Sequence, residues 1–238
     1  MYLVIDIGNT LKKAALFEED GCLEKQFYWE EVDSLLDLLT PYEVQSCLVS
    51  TVRDDGPMLA DILKRHFPTL LFTTDMPLPV VLRYDTPRTL GTDRIACAVG
   101  AHSLFPDRDV LAIQAGTCLV ADVVTANAEY LGGSIAPGVR MRFAALAQGT
   151  AHLPLVQPQP DSDVIGKSTE SSILSGVIHG IRFEIDGMID HYNTLFPELQ
   201  IILTGGDLPL LKDLIKNRIF AAPNLVLSGL YRILRYNA

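Results

Sequence analysis

Leu3-Val4-Ile5-Asp6-Ile7-Gly8-Asn9-Thr10 near the start of the chain and Leu111-Ala112-Ile113-Gln114-Ala115-Gly116-Thr117 near its middle decide the fold between them. Each is a short apolar run that ends in a glycine turn, the pattern of a buried strand followed by a tight bend. The two match at an offset of 108 residues in a chain of 238. A period of nearly half the chain points to a duplication rather than a solenoid.

Outward from the first copy, residues 12–17 read as a second strand. Gly8 and Asn9 at the intervening turn tolerate positive φ. A turn at Asp20-Gly21 leads to a third strand over 23–28. Val32, Leu35, Leu36 and Leu39 then fall on one side of a helix. A strand over 47–52, a helix over 58–67 with Leu59, Ile62 and Leu63 on one face, and a strand over 70–73 follow. Residues 75–92 carry Pro77, Pro79 and Pro87 and no clear period, and read as an irregular connection. Thr92 is placed to cap a helix with Ile95, Val99 and His102 on its apolar side, ended by Pro106. From Asp109 the pattern restarts with a strand, a second strand over 119–125, a hairpin and a Gly132-Gly133 turn. Helices near 138–147 and 167–192, a buried strand over 201–204 and a helix through Ile215 complete it. Strands alternating with helices make an α/β protein. The two halves, 1–108 and 109–238, have no low-complexity linker between them and are expected to pack tightly around a cleft.

Nineteen Lys and Arg against 29 Asp and Glu leave a net charge of −10, with 48% hydrophobic residues. That balance excludes wholesale disorder. It also argues against general nucleic-acid binding, which needs Lys and Arg to neutralise phosphates. One small anion in a locally prepared pocket is still permitted. Cys22, Cys47, Cys97 and Cys118 are scattered with no CxxC pair, which favours reduced thiols over a metal or disulfide framework. The N-terminus lacks the features of a signal peptide. The longest apolar stretch, from Val110 to Val124, is broken by Gln114 and Asp122, so no membrane span is expected. The expectation is a cytoplasmic protein.

Three segments can carry chemistry. In Asp6-Ile7-Gly8-Asn9-Thr10, with Lys13 beyond, the turn lets backbone N–H groups approach an anion, and Thr10 and Lys13 can add phosphate contacts. A carboxylate beside such a nest would repel phosphate unless it holds Mg²⁺. The plain alternative is an ordinary hairpin with a solvated Asp. The second copy at Gly116-Thr117 favours the phosphate reading, because two turns can grip one triphosphate. In Gly91-Thr92-Asp93-Arg94, the helix dipole favours an ionised Asp93, suited to accept a hydroxyl proton. Arg94 can bind a carboxylate with paired donors. The alternative is a capped helix and nothing more. Arg83, Arg88 and Arg94 against Asp85 and Asp93 leave a local +1 that favours an anion site. In Thr204-Gly205-Gly206-Asp207, glycines between a strand and a helix either admit a flat ligand such as adenine or serve a turn needing positive φ.

Gly166-Lys167-Ser168 is not a P-loop, since Asp161 stands where its first glycine belongs, and no GxGxxG occurs. His102 and His179 lie among apolar neighbours and read as structural. Gly176 and Gly180 form a small-residue stripe that reads as close helix packing, including a dimer seam.

Taken together, DIGNT at 6–10 with Lys13, GTDR at 91–94, AGT at 115–117, GGSIAPG at 132–138, Thr150-Ala151 with Leu153-Pro154, GKST at 166–169 and TGGD at 204–207 resemble the type III pantothenate kinases. These lie within the acetate and sugar kinase, heat-shock ATPase and actin superfamily. DxGNT alone indicates the superfamily, and GTDR followed by GGxIxPG is specific to the kinase family. The resemblance runs over nearly the whole chain. It implies two tandem ribonuclease-H-like (actin-like ATPase) domains, 1–108 and 109–238, with an interdomain cleft. It implies ATP-dependent phosphorylation of pantothenate, the first committed step toward coenzyme A.

By position, the resemblance assigns ATP binding to Asp6, Ile7, Gly8, Asn9, Thr10, Leu11, Lys12, Lys13 and Thr117, with Asp6 serving Mg²⁺. Asp93 becomes the general base on the primary hydroxyl of pantothenate. Tyr84, Gly91, Thr92, Asp93, Arg94 and Thr169 bind the substrate, at a homodimer interface. The family also uses an activating monovalent cation, K⁺ or NH₄⁺, held in part by an Asp where this chain has Gln114. Gln offers a carbonyl oxygen without a negative charge, so weaker cation binding is expected. Asp122 keeps a carboxylate nearby in sequence. Gln114 is the only feature that favours the alternative of a non-catalytic or transcription-accessory relative. A sugar or acetate kinase lacks support from GTDR.

Overall fold

The computed structural model describes residues 1–53, 56–160 and 162–238. Its first strands are β1 (Tyr2–Ile7), β2 (Lys12–Phe17), β3 (Leu23–Tyr28), β4 (Ser46–Thr51) and β5 (Thr69–Leu71), with α1 (Val32–Leu39) and α2 (Gly56–Leu63) between them. They form one sheet in the order β3-β2-β1-β4-β5. β2 runs antiparallel to β1, and β4 runs parallel to it. Alternation along β1 sends Leu3, Ile5 and Ile7 to one face, into a core with Leu35, Leu39, Leu59 and Leu63 from α1 and α2.

The second set is β7 (Val110–Ala115), β8 (Cys118–Val124), β9 (Glu129–Pro137), β10 (Gln200–Thr204) and β11 (Phe220–Ala221). Its sheet runs β11-β10-β7-β8-β9. β8 is antiparallel to β7, and β10 is parallel to it. Both sheets therefore repeat one topology, and β1 and β7 start 108 residues apart, as the sequence echo predicts. Leu111, Ile113 and Ala115 face a core built with α4 (Val139–Gly149) and α5 (Thr169–Leu195). In α5, Ile173, Val177, Ile181, Ile185 and Ile189 recur every four residues and make the buried stripe.

By internal contacts the chain forms two units. One holds residues 1–106, 127–131 and 224–238, and the other holds 107–126 and 132–223. The last helix, α7 (Leu225–Asn237), therefore belongs with the first unit, although a division after residue 108 assigns it to the second half. It packs on α3 (Thr92–Leu104) and over β1 and β4. Gly100 and Gly229 make that packing possible. A side chain on Gly229 would overlap the Ala96 carbonyl, and a Cβ on Gly100 would stand 2.5 Å from Leu225 O. Tyr231 of α7 stacks on Phe17 at 4.8 Å, and its hydroxyl donates to Glu19 O.

Several expectations are corrected. Residues 75–92 include a short strand β6 (Val81–Leu82), paired with the first residues of β9, and a 3-10 turn at Pro87–Thr89. Gly132 and Gly133 lie inside β9 rather than at a turn. Gly133 presses on Ala121 of β8 so closely that a side chain would overlap its carbonyl. The helix expected through Ile215 is only α6 (Leu208–Leu211). Neither Gly8 nor Asn9 adopts positive φ. The Gly176 and Gly180 stripe is not a close-packing seam among the described residues, since a Cβ at either position meets no atom of them within 4 Å. Among the described residues, no helix is long and apolar enough to cross a membrane. The four cysteines are free thiols.

Candidate active site

In the first unit, strand register sets three side chains in a row. Asp6 of β1 stands opposite Lys13 of β2 and beside Ser50 of β4. Paired residues share a sheet face, so all three lie opposite the α1–α2 core. Ser50 is fully buried and shares a 3.0 Å hydrogen bond with the Thr92 hydroxyl. That bond ties the first turn of α3 to the sheet. Thr92 is the first helical residue rather than the cap, a place taken by Gly91 in extended conformation. Asp93 follows in the first turn, where the dipole favours its charge. The Asp6 carboxyl is pushed up to about 6, first by burial and then by the negative charge of Asp93, with Lys13 pulling it down.

Consecutive lysines part company here. Lys12 pairs with Ile7 and so lies on the face opposite Lys13. Its ammonium donates to Glu30 O at 2.8 Å and sits 4.7 Å over the Trp29 ring. It lines a cavity of about 850 Å³ with Gly8, Thr10, Leu11, Trp29 and Arg53. Ile7 is buried in the core, so only its backbone is available to a ligand. The Gly8 N–H donates to Leu11 O at 3.0 Å and closes the turn that carries Asn9 and Thr10.

Arg94 is only 6% exposed, and its guanidinium lies 5.6 Å from the Tyr84 ring centre. Tyr84 in turn lies 6.0 Å from Tyr130. Arg83 pairs with Glu129 at 2.7 Å, which cancels the local +1 expected from the sequence. The first unit thus brings together Asp6, Lys13, Ser50, Thr92 and Asp93, and separately Tyr84 with Arg94.

The other residues that the sequence singles out lie in the second unit. Thr117 is in the turn between β7 and β8, and its carbonyl accepts from Gly138 N at 3.1 Å. Gly205 has a φ of +99° and lies flush against Ala115, as the positive-φ reading of that turn expects. Gln114 faces away from the α4–α5 core, on the side shared by its register neighbour Thr204 and by Asp122 opposite Ala112. The Gln114 Oε1 is buried and has no hydrogen-bond partner among the described residues. Thr169 opens α5 beside a groove of about 550 Å³ lined by Leu146, Leu153, Ser172, Ile173 and Gly176. Gly166 packs against the Ser171 and Ser172 backbone, and Ser168 and Ser171 cap α5 reciprocally, so the GKST segment serves as a helix start. His179 is held structurally, with its Nε2 2.9 Å from Ser162 O.

Ser50 escapes a reading of the site from sequence, and the segment ending in Asp207 is read there for its glycines rather than for its carboxyl. Ser50 is a lone hydroxyl inside a buried run, a signal legible only once register places it beside Asp6. Asp207 is buried, and its carboxyl is raised by burial and lowered by Arg140, whose Nη1 donates to Oδ1 at 2.7 Å.

The profile of the family described as type III pantothenate kinase matches residues 2–191. A relative from Christiangramia forsetii carrying that name is 43% identical over 240 residues, covering 100% of this chain and 99% of its own. This chain belongs to the type III pantothenate kinase family. Solved structures with the same fold lie further off. A Campylobacter jejuni protein named for the Baf family of transcriptional activators is 23% identical, covering 99% of this chain and 98% of its own, with a TM-score of 0.62. A ROK family glucokinase from Streptomyces griseus, in complex with glucose and AMPPNP, is 15% identical, covering 99% of each chain, with a TM-score of 0.57. The row of Asp6, Lys13 and Ser50 lies in the first unit, with Thr92 and Asp93 at the start of α3 tied to it through Ser50.

Proposed function

We propose that this chain transfers the γ-phosphate of ATP to the primary hydroxyl of pantothenate, the first step of coenzyme A biosynthesis. The observation that carries it is the partly buried Asp6 beside Asp93, in a chain of this family. Asp93 accepts the hydroxyl proton as the oxygen attacks phosphorus, and the N-terminal end of α3 keeps it ionised for that task. Lys13 and the backbone N–H groups of Asn9 and Thr10, in the turn that Gly8 closes, receive phosphate oxygens, and Thr117 is likewise assigned to ATP.

Phosphoryl transfer in a kinase family needs a divalent metal, which we assign as Mg²⁺ held by Asp6. The fit rests on charge. The Asp6 carboxyl, raised to about 6 by burial and by Asp93, is mostly ionised at neutral pH at a cost that Lys13 offsets only in part and that a bound cation would relieve. When bound, the ion neutralises charge on the transferred phosphate. For K⁺ or NH₄⁺, the unpartnered Gln114 oxygen is an available ligand but brings no charge, so we assign weak monovalent binding.

Tyr84, Gly91, Thr92 and Arg94 form the substrate wall on the first unit, and Thr169 adds a contact at a homodimer interface. The groove beside Thr169 and the uncovered Gly176 and Gly180 support that dimer. The shared strand order of the two sheets supports two tandem ribonuclease-H-like domains of the actin-like ATPase type. Free buried Cys47 and Cys97 support a cytoplasmic setting. The non-catalytic alternative rests on Gln114 alone and is not favoured.

Mass spectrometry of the products formed from ATP with pantothenate, glucose or acetate tests the substrate. Phosphopantothenate alone is expected. Phosphorylation of glucose or acetate in its place would overturn the assignment.

A further inference from the structure

Two chain segments of the second unit close on the Gly116-Thr117 turn through three links. Gly138, just ahead of α4, donates its N–H to Thr117 O and lies so close to the Gly116 and Thr117 carbonyls that any side chain would overlap them. Asp207, just past β10, donates its N–H to Ala115 O at 3.0 Å. The third link joins the other two. Arg140, in the first turn of α4, donates from Nη1 to Asp207 Oδ1 at 2.7 Å. The result is a closed ring of contacts running 115-116-117-138-140-207 and back to 115.

The Arg140–Asp207 link is asymmetric. The Asp207 side chain is 4% exposed, whereas that of Arg140 is 75% exposed. Asp207 Oδ2 has no partner among the described residues. A buried carboxylate with a single side-chain partner is a poor device for stability, because desolvation offsets most of the attraction. Its geometry is what it supplies.

We propose that Arg140 is a positioning residue for the nucleotide: through Asp207 it holds the Gly116-Thr117 turn in the shape that receives the ATP phosphates. This rests on the assignment of Thr117 to ATP. Without Arg140 the two backbone bonds still form the turn and Val139, Phe143, Leu208 and Leu211 still share one core, but the ion pair that fixes the α4 start against the segment after β10 is lost. The turn then samples positions in which its groups miss the phosphates, and a misplacement of this kind costs binding more than folding.

The test combines kinetics with equilibrium binding of AMPPNP on the full chain. Arg140→Ala is expected to weaken AMPPNP binding and raise the KM for ATP by about 10-fold, with kcat and the KM for pantothenate held within about twofold. Arg140→Lys is expected to recover most of the loss, since one ammonium donor suffices for one carboxylate oxygen. Unchanged nucleotide binding in Arg140→Ala, or an Arg140→Lys no better than alanine, would overturn the proposal. So would an equal loss in kcat and in both KM values. If the unaltered protein binds AMPPNP but never phosphorylates pantothenate, the functional reading fails while the binding comparison still decides the role of Arg140.

Discussion

The Asp93 carboxylate folds back over Gly91, so that a Cβ on Gly91 would stand 2.5 Å from Asp93 Oδ1. With the Ser50–Thr92 hydrogen bond on the sheet side, this leaves the first turn of α3 one arrangement in which Asp93 stays close to Asp6.

Gly91→Ala therefore separates position from fold. The methyl meets the far end of the Asp93 side chain rather than backbone, so the side chain moves and the fold does not. The carboxylate then leaves its place. A fall in kcat of roughly 10- to 100-fold is expected, with a melting temperature within about 2 °C of the unaltered protein. Steady-state kinetics and calorimetry on one preparation check both.

Asp6 ties stability to pH. Its folded carboxyl stands at about 6 against an ordinary 3.8, so the folded state holds the proton more tightly. Below pH 4 both states are protonated and the group costs nothing. As pH rises from 4 to 6 stability falls, and above 6 the full penalty of about 1–3 kcal/mol applies. Asp6→Asn removes it. Urea unfolding is expected to show the variant more stable at pH 7.5 and unchanged at pH 4, with turnover lost. Equal effects at both pH values would count against the burial of this carboxyl.

Glycine substitutions should change sign with location. Replacing an open helical glycine by alanine stabilises by roughly 0.5–1 kcal/mol, and a Cβ on Gly187 of α5 would meet no atom within 4 Å. Gly187→Ala is expected to gain that amount. Gly229→Ala forces α7 off the Ala96 carbonyl and is expected to lose at least about 2 kcal/mol. Chemical denaturation of the two variants measures the contrast.

Gln114→Asp restores a carboxylate at the proposed cation site. The unaltered protein is expected to melt at the same temperature in K⁺ and in tetramethylammonium. The variant is expected to gain thermal stability in K⁺ and to bind it about 10-fold more tightly or better. A clear K⁺ shift without the substitution would show that the neutral Gln114 oxygen suffices.

The architecture is largely legible in the sequence because the 108-residue echo and the alternation of strands and helices are local patterns. β1, β3 and α1 start and end within a residue or so of where periodicity places them. What escapes depends on contacts distant in sequence. α7 carries a buried stripe of Leu227, Leu230, Tyr231 and Leu234, but its partner is α3, more than 100 residues away. The lysines show the same limit at the site. Adjacent in sequence, Lys12 and Lys13 fall on opposite faces of β2, and only register reveals that Lys13 alone joins Asp6. Gly176 and Gly180 suggest close packing, whereas Gly100 and Gly229 provide it.

The most direct test of the central claim is the initial rate of ADP formation from ATP, Mg²⁺ and pantothenate by the unaltered protein and by Asp93→Asn. Turnover by the first is expected, with a fall of about 10²- to 10⁴-fold in the second at unchanged AMPPNP affinity and melting temperature. An Asp93→Asn protein as fast as the original, or no turnover by the original in Na⁺, K⁺ or NH₄⁺, would contradict it.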